Sequence, residues 1–257
     1  MKNGIFYNDS GSGQPVVFLH GFCESHRLWS NLAPKLIHSF RVITIDLPGF
    51  GKSPLPESSF SLTDIAVQIH DMLNEIGAQH PVLIGHSMGG YITLAYAKKY
   101  TTELRGFGLF HSSAYADTSE KKEDRTRLID FIRENGVVPF LGTFIPSLFY
   151  ENRREELGPQ IKQLIEEAKN IPPRSVQEFA RAMRDRDENI ELLKTFPRPV
   201  MMIIGEDDRS VPLEKSLEQS RMIQRPYILR LKETAHMGMI EKPAETFNFL
   251  HNFLNVC

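Results

Sequence analysis

The feature that most constrains this chain is the short stretch of residues 81–90. It begins with three consecutive apolar residues, Val82–Ile84, which predict a parallel strand buried on both faces. Ser87 follows within a Gly-x-Ser-x-Gly pentapeptide, and the mostly small or apolar residues 91–97 predict a helix packed into a core. A serine between such a strand and such a helix lies on a very tight turn, where side chains on the two glycines would clash. The stretch therefore predicts a strand–turn–helix unit that exposes the Ser87 hydroxyl at the edge of a sheet.

Composition excludes several classes of protein. The chain has 257 residues, of which 41% are hydrophobic and 24% charged, as is ordinary for a globular protein with a sizeable core. A net charge of −2 gives no reason to expect a nucleic-acid or membrane partner. Two cysteines, Cys23 and Cys257, do not make a disulfide framework, and no signal-type or membrane-spanning apolar run is present. We therefore expect a soluble, cytoplasmic protein.

Short apolar runs that predict strands alternate with helical patterns along much of the chain. These runs are residues 5–7, 16–19, 41–45, 107–110, 199–204 and 227–231. The clearest helix is predicted to begin after Ser61, with Asp64 as its capping partner, because apolar residues recur there at three- and four-residue spacing. Residues 8–13 are turn-forming. The alternation favours a parallel sheet with helices on both faces.

The pattern changes over residues 114–195, where helical segments follow one another without an intervening strand. The predicted helices are residues 126–135, 157–170 and 176–186, and an apolar, aromatic piece lies at 137–150. We interpret 114–195 as a helical cap inserted into a core domain made of residues 1–113 and 196–257. Most of its aromatic side chains are expected to join the cap to the sheet. Phe140, Phe144 and Leu148 are predicted to line a pocket, since ligand sites are largely apolar.

The chemistry of an exposed serine requires two partners. A serine hydroxyl is a weak nucleophile unless a histidine accepts its proton and a buried carboxylate orients that histidine. On a parallel sheet these partners follow the serine in the order acid, then histidine. The loop after the strand at 199–204 supplies Asp207 and Asp208, and His236 follows the last strand. The sequence thus predicts a Ser87–Asp–His236 triad with two candidate acids.

Several segments together resemble the α/β-hydrolase fold family. They are residues 20–22, 46–53, 85–90, 205–208 and 235–237. The resemblance implies a mostly parallel central sheet flanked by helices, with an inserted helical cap. In this family the acid of the Gly-x-x-Asp loop is followed three or four residues later by Val-Pro. Val211–Pro212 therefore favours Asp208, and Asp207 remains the alternative.

The resemblance also implies how a negative oxygen would be stabilised. The two donors would be the backbone N–H groups of Phe22 and Met88, the latter at a helix N-terminus that favours an anion. His111 and Met237 are further expected to border the pocket. His20 and His86 are interpreted as structural. No set of side chains has metal-ligand spacing, and neither a metal nor a cofactor is expected.

These observations predict a serine hydrolase that cleaves carboxylic esters of small, mostly apolar acyl compounds. Epoxide hydrolases and haloalkane dehalogenases are excluded, because they carry aspartate at the position of Ser87. Carbon–carbon bond hydrolases commonly carry asparagine at the position of His86, which disfavours that activity. A lactonase and a thioesterase remain alternatives on the same triad. So does a ligand-sensing receptor of the same fold with little turnover.

Overall fold

A single seven-stranded sheet runs through the protein in the computed structural model, which describes residues 1–257. The strands are β1 (Phe6–Ser10), β2 (Pro15–Leu19), β3 (Arg41–Asp46), β4 (Val82–His86), β5 (Gly106–Phe110), β6 (Val200–Gly205) and β7 (Pro226–Leu231). Their order across the sheet is β1-β3-β2-β4-β5-β6-β7. Only β1 is antiparallel to its neighbour, and all other pairs are parallel. The predicted α/β fold with a mostly parallel sheet is confirmed.

Helices cover the sheet and form the long segment between β5 and β6. They are α1 (Ala33–Leu36), α2 (Leu62–Glu75), α3 (Met88–Lys99), α4 (Ser119–Asn135), α5 (Val138–Ser147), α6 (Gly158–Ala168), α7 (Pro173–Arg184), α8 (Ile190–Thr195), α9 (Leu213–Ser220), α10 (Gly238–Glu241) and α11 (Pro243–Leu254). Every residue of β2, β4, β5 and β6 is buried, as their unbroken apolar runs predict. None of the helices combines the length and apolar character needed to cross a bilayer.

Strand β1 is longer than its sequence predicts. The run at 5–7 indicates a strand, but residues 8–10, expected in a turn, continue it and pair antiparallel with β3. The reason is its position at the edge of the sheet, where polar side chains remain in contact with solvent. Asp9 also receives a charge-assisted hydrogen bond from Arg41 of β3 at 2.7 Å. Edge pairing therefore overrides the turn-forming composition.

Helix α2 begins as its sequence predicts. The Ser61 hydroxyl accepts from the Asp64 amide at 3.2 Å, and the Asp64 carboxylate accepts from the Ser61 amide at 2.8 Å. This reciprocal capping box satisfies two backbone donors that the first turn leaves without partners. The helix then buries the apolar face predicted from its spacing, including Ile65, Ile69 and Leu73.

Five helices, α4–α8, lie between β5 and β6, and we call residues 114–195 the helical insertion. Helix α4 begins at Ser119 rather than at the predicted residue 126, so the charged residues 120–125 form its first, exposed turns. The apolar piece at 137–150 contains α5. The insertion contains no strand, in keeping with its helical sequence pattern. Its separation from the core as a cap domain remains a prediction.

Candidate active site

The turn that carries Ser87 is strained. Ser87 lies between the end of β4 and the start of α3, with φ 50° and ψ −115°, a conformation that a side chain makes unfavourable. A Cβ at Gly85 would lie 2.3 Å from the Gly89 carbonyl oxygen, and one at Gly89 would lie 2.5 Å from the Leu19 carbonyl oxygen. The two glycines therefore allow the close approach that the pentapeptide predicts. The Ser87 side chain is left partly exposed at the sheet edge.

Asp208 and His236 form a buried pair at the ends of β6 and β7. Asp208 Oδ2 lies 2.7 Å from His236 Nδ1, while Asp208 Oδ1 accepts from the amides of Ser210 and Val211 at 2.8 and 3.0 Å. Asp207, the alternative acid, is exposed. Burial opposes ionisation of Asp208, but the His236 imidazole and its hydrogen bond outweigh that effect and lower the pKa of the carboxyl group. An ionised Asp208 accepts a hydrogen bond from His236 Nδ1 and fixes the orientation of the imidazole ring.

One cavity of about 330 Å³ is bordered by both Ser87 and His236. Its apolar wall consists of Phe22, Tyr91, Leu128, Phe140, Phe144, Leu148 and Met183, and its polar lining adds Lys121, Asp124, Arg125 and Ser210. No hydrogen bond joins the Ser87 hydroxyl to the His236 ring, whose Nδ1 is hydrogen-bonded to Asp208. Hydrogen bonds between reacting groups commonly tighten only once a substrate is bound. A molecule in this cavity would face both side chains.

The three cap residues predicted to line a pocket do border this cavity. Phe140 and Phe144 are stacked with ring centroids 4.7 Å apart, and the Phe144 ring lies 5.9 Å from that of Phe22. Leu148 completes the same wall from the end of α5. These contacts place the loop after β2 directly against the helical insertion. The apolar wall is thus built from both parts of the chain.

His111 and Met237 do not line this cavity, so the structure does not bear out the expectation that they border the pocket. His111 is 2% exposed and Met237 is fully buried. The His111 ring turns beneath the site, where Nε2 accepts from the Gly238 amide at 3.0 Å and Nδ1 lies 3.6 Å from Asp208 Oδ2. His111 directly follows β5 and Met237 directly follows His236, so the sequence places both residues near the site. It does not show whether their side chains face the cavity.

Two backbone amides lie beside Ser87. Met88 is the first residue of α3, so its N–H has no acceptor within the helix. The Phe22 amide in the loop after β2 makes no hydrogen bond with the protein backbone. The shape of this loop depends on Cys23, whose φ is 61°, and on Glu24, whose carboxylate accepts from the Gly21 amide at 2.6 Å. Their role in binding a negative oxygen remains a prediction.

A family model described as alpha/beta hydrolase fold matches residues 14–243. The chain belongs to this family. Among curated proteins it is similar to 2-hydroxy-6-oxo-6-(2'-aminophenyl)hexa-2,4-dienoic acid hydrolase of Metapseudomonas resinovorans, with 26% identity over 97% of this chain and 87% of that protein.

Solved structures of alpha/beta hydrolases are also similar to it. A thermophilic esterase from Thermogutta terrifontis, in a malate-bound structure, has a TM-score of 0.93 and 28% identity, covering 98% of this chain and 93% of that one. The enol-lactonase from Burkholderia xenovorans LB400 has a TM-score of 0.90 at 17% identity, covering 98% of this chain and 96% of that one. At that lower identity the likeness shows the fold alone.

A buried ion pair in this alpha/beta hydrolase was not predicted from its sequence. Glu24 Oε2 lies 2.9 Å from His86 Nδ1, and His86 Nε2 donates to the His236 carbonyl oxygen at 2.9 Å. Burial is the largest single effect and opposes both charges, but the Coulomb attraction and the hydrogen bonds together outweigh it, so the pKa of Glu24 is lowered and that of His86 is raised. The available signal was the charge of Glu24 directly after the apolar residues Phe22 and Cys23. The pair joins the loop after β2, the Ser87 turn and the His236 loop.

A second buried carboxylate holds the His236 loop against the helical insertion. Glu241 Oε1 accepts from the amides of Ala235 and Met237 at 3.0 and 3.1 Å, and Oε2 accepts from the Tyr150 amide at 2.9 Å. Burial raises the pKa of Glu241 despite these three bonds. The His236 amide itself donates to the Leu148 carbonyl oxygen at 2.8 Å. The insertion therefore sets the backbone position of the histidine.

The remaining side chains near the site have packing roles. His20 Nδ1 donates to the Gly21 carbonyl oxygen at 2.8 Å, and its Nε2 accepts from the Leu47 amide at 2.9 Å. Cys23 is 2% exposed, and burial raises the pKa of its thiol well above the ordinary value, which disfavours a second nucleophile. No group of three or more metal-ligating side chains is present.

Proposed function

We propose that this alpha/beta hydrolase is a serine hydrolase that cleaves carboxylic esters of small, mostly apolar acyl compounds. The observation that supports it best is that Ser87 and the Asp208-paired His236 border one cavity with an aromatic wall. The cavity, at about 330 Å³, lies near the lower limit for ligand sites and suits a small acyl group. The similar esterase of T. terrifontis supports an ester as substrate.

The proposed reaction uses each group in turn. His236 Nε2 accepts the Ser87 proton while Asp208 stabilises the imidazolium that forms. Ser87 Oγ attacks the ester carbonyl, and the amides of Phe22 and Met88 stabilise the resulting oxyanion. His236 then protonates the leaving alcohol, which leaves an acyl group on Ser87. A water molecule deprotonated by His236 releases the acid by the same steps.

The test is turnover of 4-nitrophenyl esters of increasing acyl chain length. We expect the wild type to prefer short chains and Ser87→Ala to lose on the order of a million-fold in kcat, as serine triads do. Ser58→Ala, at an exposed position, is the matched control and should retain full activity. Mass spectrometry should detect an acyl adduct on Ser87 in the wild type alone. Sustained turnover by Ser87→Ala would refute the proposal, and at most one turnover by the wild type would favour a receptor.

Carbon–carbon bond hydrolysis is the second candidate, because the relative from M. resinovorans is named for a 2-hydroxy-6-oxo-dienoic acid. The residue before the nucleophile counts against it. Such hydrolases commonly have asparagine there, whereas this chain has His86, whose two ring nitrogens are both engaged. Hydrolysis of a 2-hydroxy-6-oxohexa-2,4-dienoate faster than of any short ester, lactone or thioester would reverse the order of the two candidates.

A further inference from the structure

The cavity has a cationic side that an apolar acyl chain does not use. Lys121 and Arg125, one turn apart on α4, both line it. Lys121 Nζ donates to the Ser210 carbonyl oxygen at 3.0 Å and has no carboxylate within ion-pair distance. Lys121 therefore brings an unpaired positive charge to the cavity that contains Ser87.

Arg125 is held in place by a carboxylate that it shares. Its Nε donates to Asp117 Oδ2, while Asp117 Oδ1 lies 2.8 Å from Nη1 of Arg186. The Asp117 side chain is 1% exposed, so one buried carboxylate faces two guanidinium groups. Arg186 also donates to the carbonyl oxygens of Met183 and Tyr115 at 2.7 and 2.9 Å. The two terminal nitrogens of Arg125 make no hydrogen bond with the protein and remain available to a ligand.

The one acidic residue in the lining does not cancel these charges. Asp124 Oδ1 forms a close ion pair with Arg127, whose side chain is 64% exposed and lies outside the cavity lining. The carboxylate of Asp124 is therefore paired from the solvent side. The cavity keeps a surplus of positive charge in a chain whose net charge is −2.

We propose that the preferred esters carry a carboxylate a few carbons from the scissile bond, and that Arg125 and Lys121 bind it. The inference rests on the proposed ester hydrolysis and adds the substrate class, such as monoesters of small dicarboxylic acids. The guanidinium fork matches the geometry of a carboxylate, and a fixed Nε leaves the fork preorganised. The wall of Phe140, Phe144 and Leu148 contacts the short apolar chain between the two carbonyl carbons.

The experiment compares two pairs of esters that differ in one negative charge. The first pair is mono-4-nitrophenyl glutarate and 4-nitrophenyl pentanoate, with the charge on the acyl side. The second pair is 4-acetoxybenzoate and its methyl ester, with the charge on the alcohol side. We expect kcat/KM to favour the anion about tenfold in at least one pair at low salt, after correction for the uncatalysed rates. The preference should decline at 0.5 M salt, because the Lys121 end of the site is exposed to solvent.

Variants of Lys121 and Arg125 test whether these two side chains cause the preference for the anionic ester. Lys121→Met should reduce it severalfold and Arg125→Gln should abolish it. Lys122→Met is the matched control, because Lys122 is the next residue on α4, is exposed and does not line the cavity. Arg125→Lys keeps the positive charge beside Asp117. Comparing its stability with that of Arg125→Gln shows whether a loss of activity in Arg125→Gln reflects misfolding. Hydrolysis of the neutral esters without any anion preference overturns this inference alone. If none of the four esters is hydrolysed, the proposed function is overturned and this inference with it.

Discussion

The His111 imidazole shows how much of the site lies beneath the residues that border the cavity. Its Nε2 accepts a backbone N–H, so the ring is neutral and carries its proton on Nδ1, facing Asp208 at 3.6 Å. Burial is the largest cause that holds the pKa of His111 well below its ordinary value. Asp208 opposes burial but offsets it only in part, and the imidazoles of His236 and His86 act in the same direction as burial. A positive charge at this position is therefore disfavoured in the folded protein.

His111→Gln should change how stability depends on pH. A histidine whose pKa is lowered by folding stabilises the protein above its unfolded pKa of about 6.5, and that contribution is lost as pH falls below this value. Glutamine retains a donor and an acceptor but does not titrate. We expect the free energy of unfolding of the wild type, relative to the variant, to fall by up to about 1.4 kcal/mol per pH unit between pH 6.5 and 5.

Urea denaturation over that pH range measures the effect, and His38→Gln is the matched control for loss of an imidazole at an exposed position. A difference between wild type and His111→Gln that stays constant with pH would contradict the prediction.

At the residue scale, sequence identified the side chains with distinctive surroundings. The pentapeptide marks Ser87, the Val-Pro that follows marks Asp208, and a position after the last strand marks His236. The direction of His111 was not available from sequence, because it depends on a φ of 48° directly after β5. The ring lies beside Asp208 and does not line the cavity.

Helix α3 approaches β2 closely because Gly89 has no side chain. A Cβ at Gly89 would lie 2.5 Å from the Leu19 carbonyl oxygen and 2.7 Å from that of His20, both backbone atoms that cannot rotate away. Gly89→Ala should therefore cost about 3 kcal/mol of stability. It should also lower kcat, because the helix carries the Met88 amide at its first turn.

Gly142→Ala is the matched control, since a Cβ there meets nothing within 4 Å in the interior of α5. We expect it to gain about 0.5–1 kcal/mol from improved helix propensity. Thermal or urea denaturation of both variants measures the contrast. Equal stability of the two variants would show that the close approach is not essential.

At the element scale, sequence located structure wherever burial imposes a pattern. The start of α2 is correct because a capping box precedes an apolar face. Helix α4 begins seven residues before the predicted segment 126–135, because its charged, exposed first turns indicate a solvated helix face but carry no apolar period. The Thr118 hydroxyl caps that helix by accepting from the Lys121 amide, which is a local signal weaker than periodicity.

Across the whole molecule, Glu24 links parts of the site that are far apart in the chain. Glu24→Ala would leave the buried His86 without its counter-charge and the Gly21 amide without its acceptor. Removing one member of a buried pair costs about 3–5 kcal/mol. We expect that loss of stability together with a lower kcat, because the loop between Gly21 and Glu24 holds the Phe22 amide.

Glu24→Gln is the matched variant, since its amide can still accept from Gly21 and donate to a neutral His86. We expect it to lose less stability than Glu24→Ala in urea denaturation and to retain more of kcat. If the alanine variant proves as stable as the wild type, the pair does not organise the site.

At this largest scale, the sequence was sufficient for the topology but not for the contacts across it. Alternating strands and helices predict the parallel sheet, and the motifs predict which strand ends meet. Glu24 and His86 are 62 residues apart, and nothing in either local pattern indicates the other. The same is true of Asp117 and Arg186, which meet only after the insertion folds onto itself.

The hydrogen bond from the His236 amide to the Leu148 carbonyl oxygen has a practical consequence for protein engineering. Replacing residues 114–195 with those of another family member, in order to change the substrate range, would shift the backbone that supplies this carbonyl oxygen and the Tyr150 amide that Glu241 binds. A chimaera would then reposition His236 even though Ser87, Asp208 and His236 themselves were unchanged. Grafts that keep residues 148–150 native avoid this, and they leave most of the aromatic wall open to redesign.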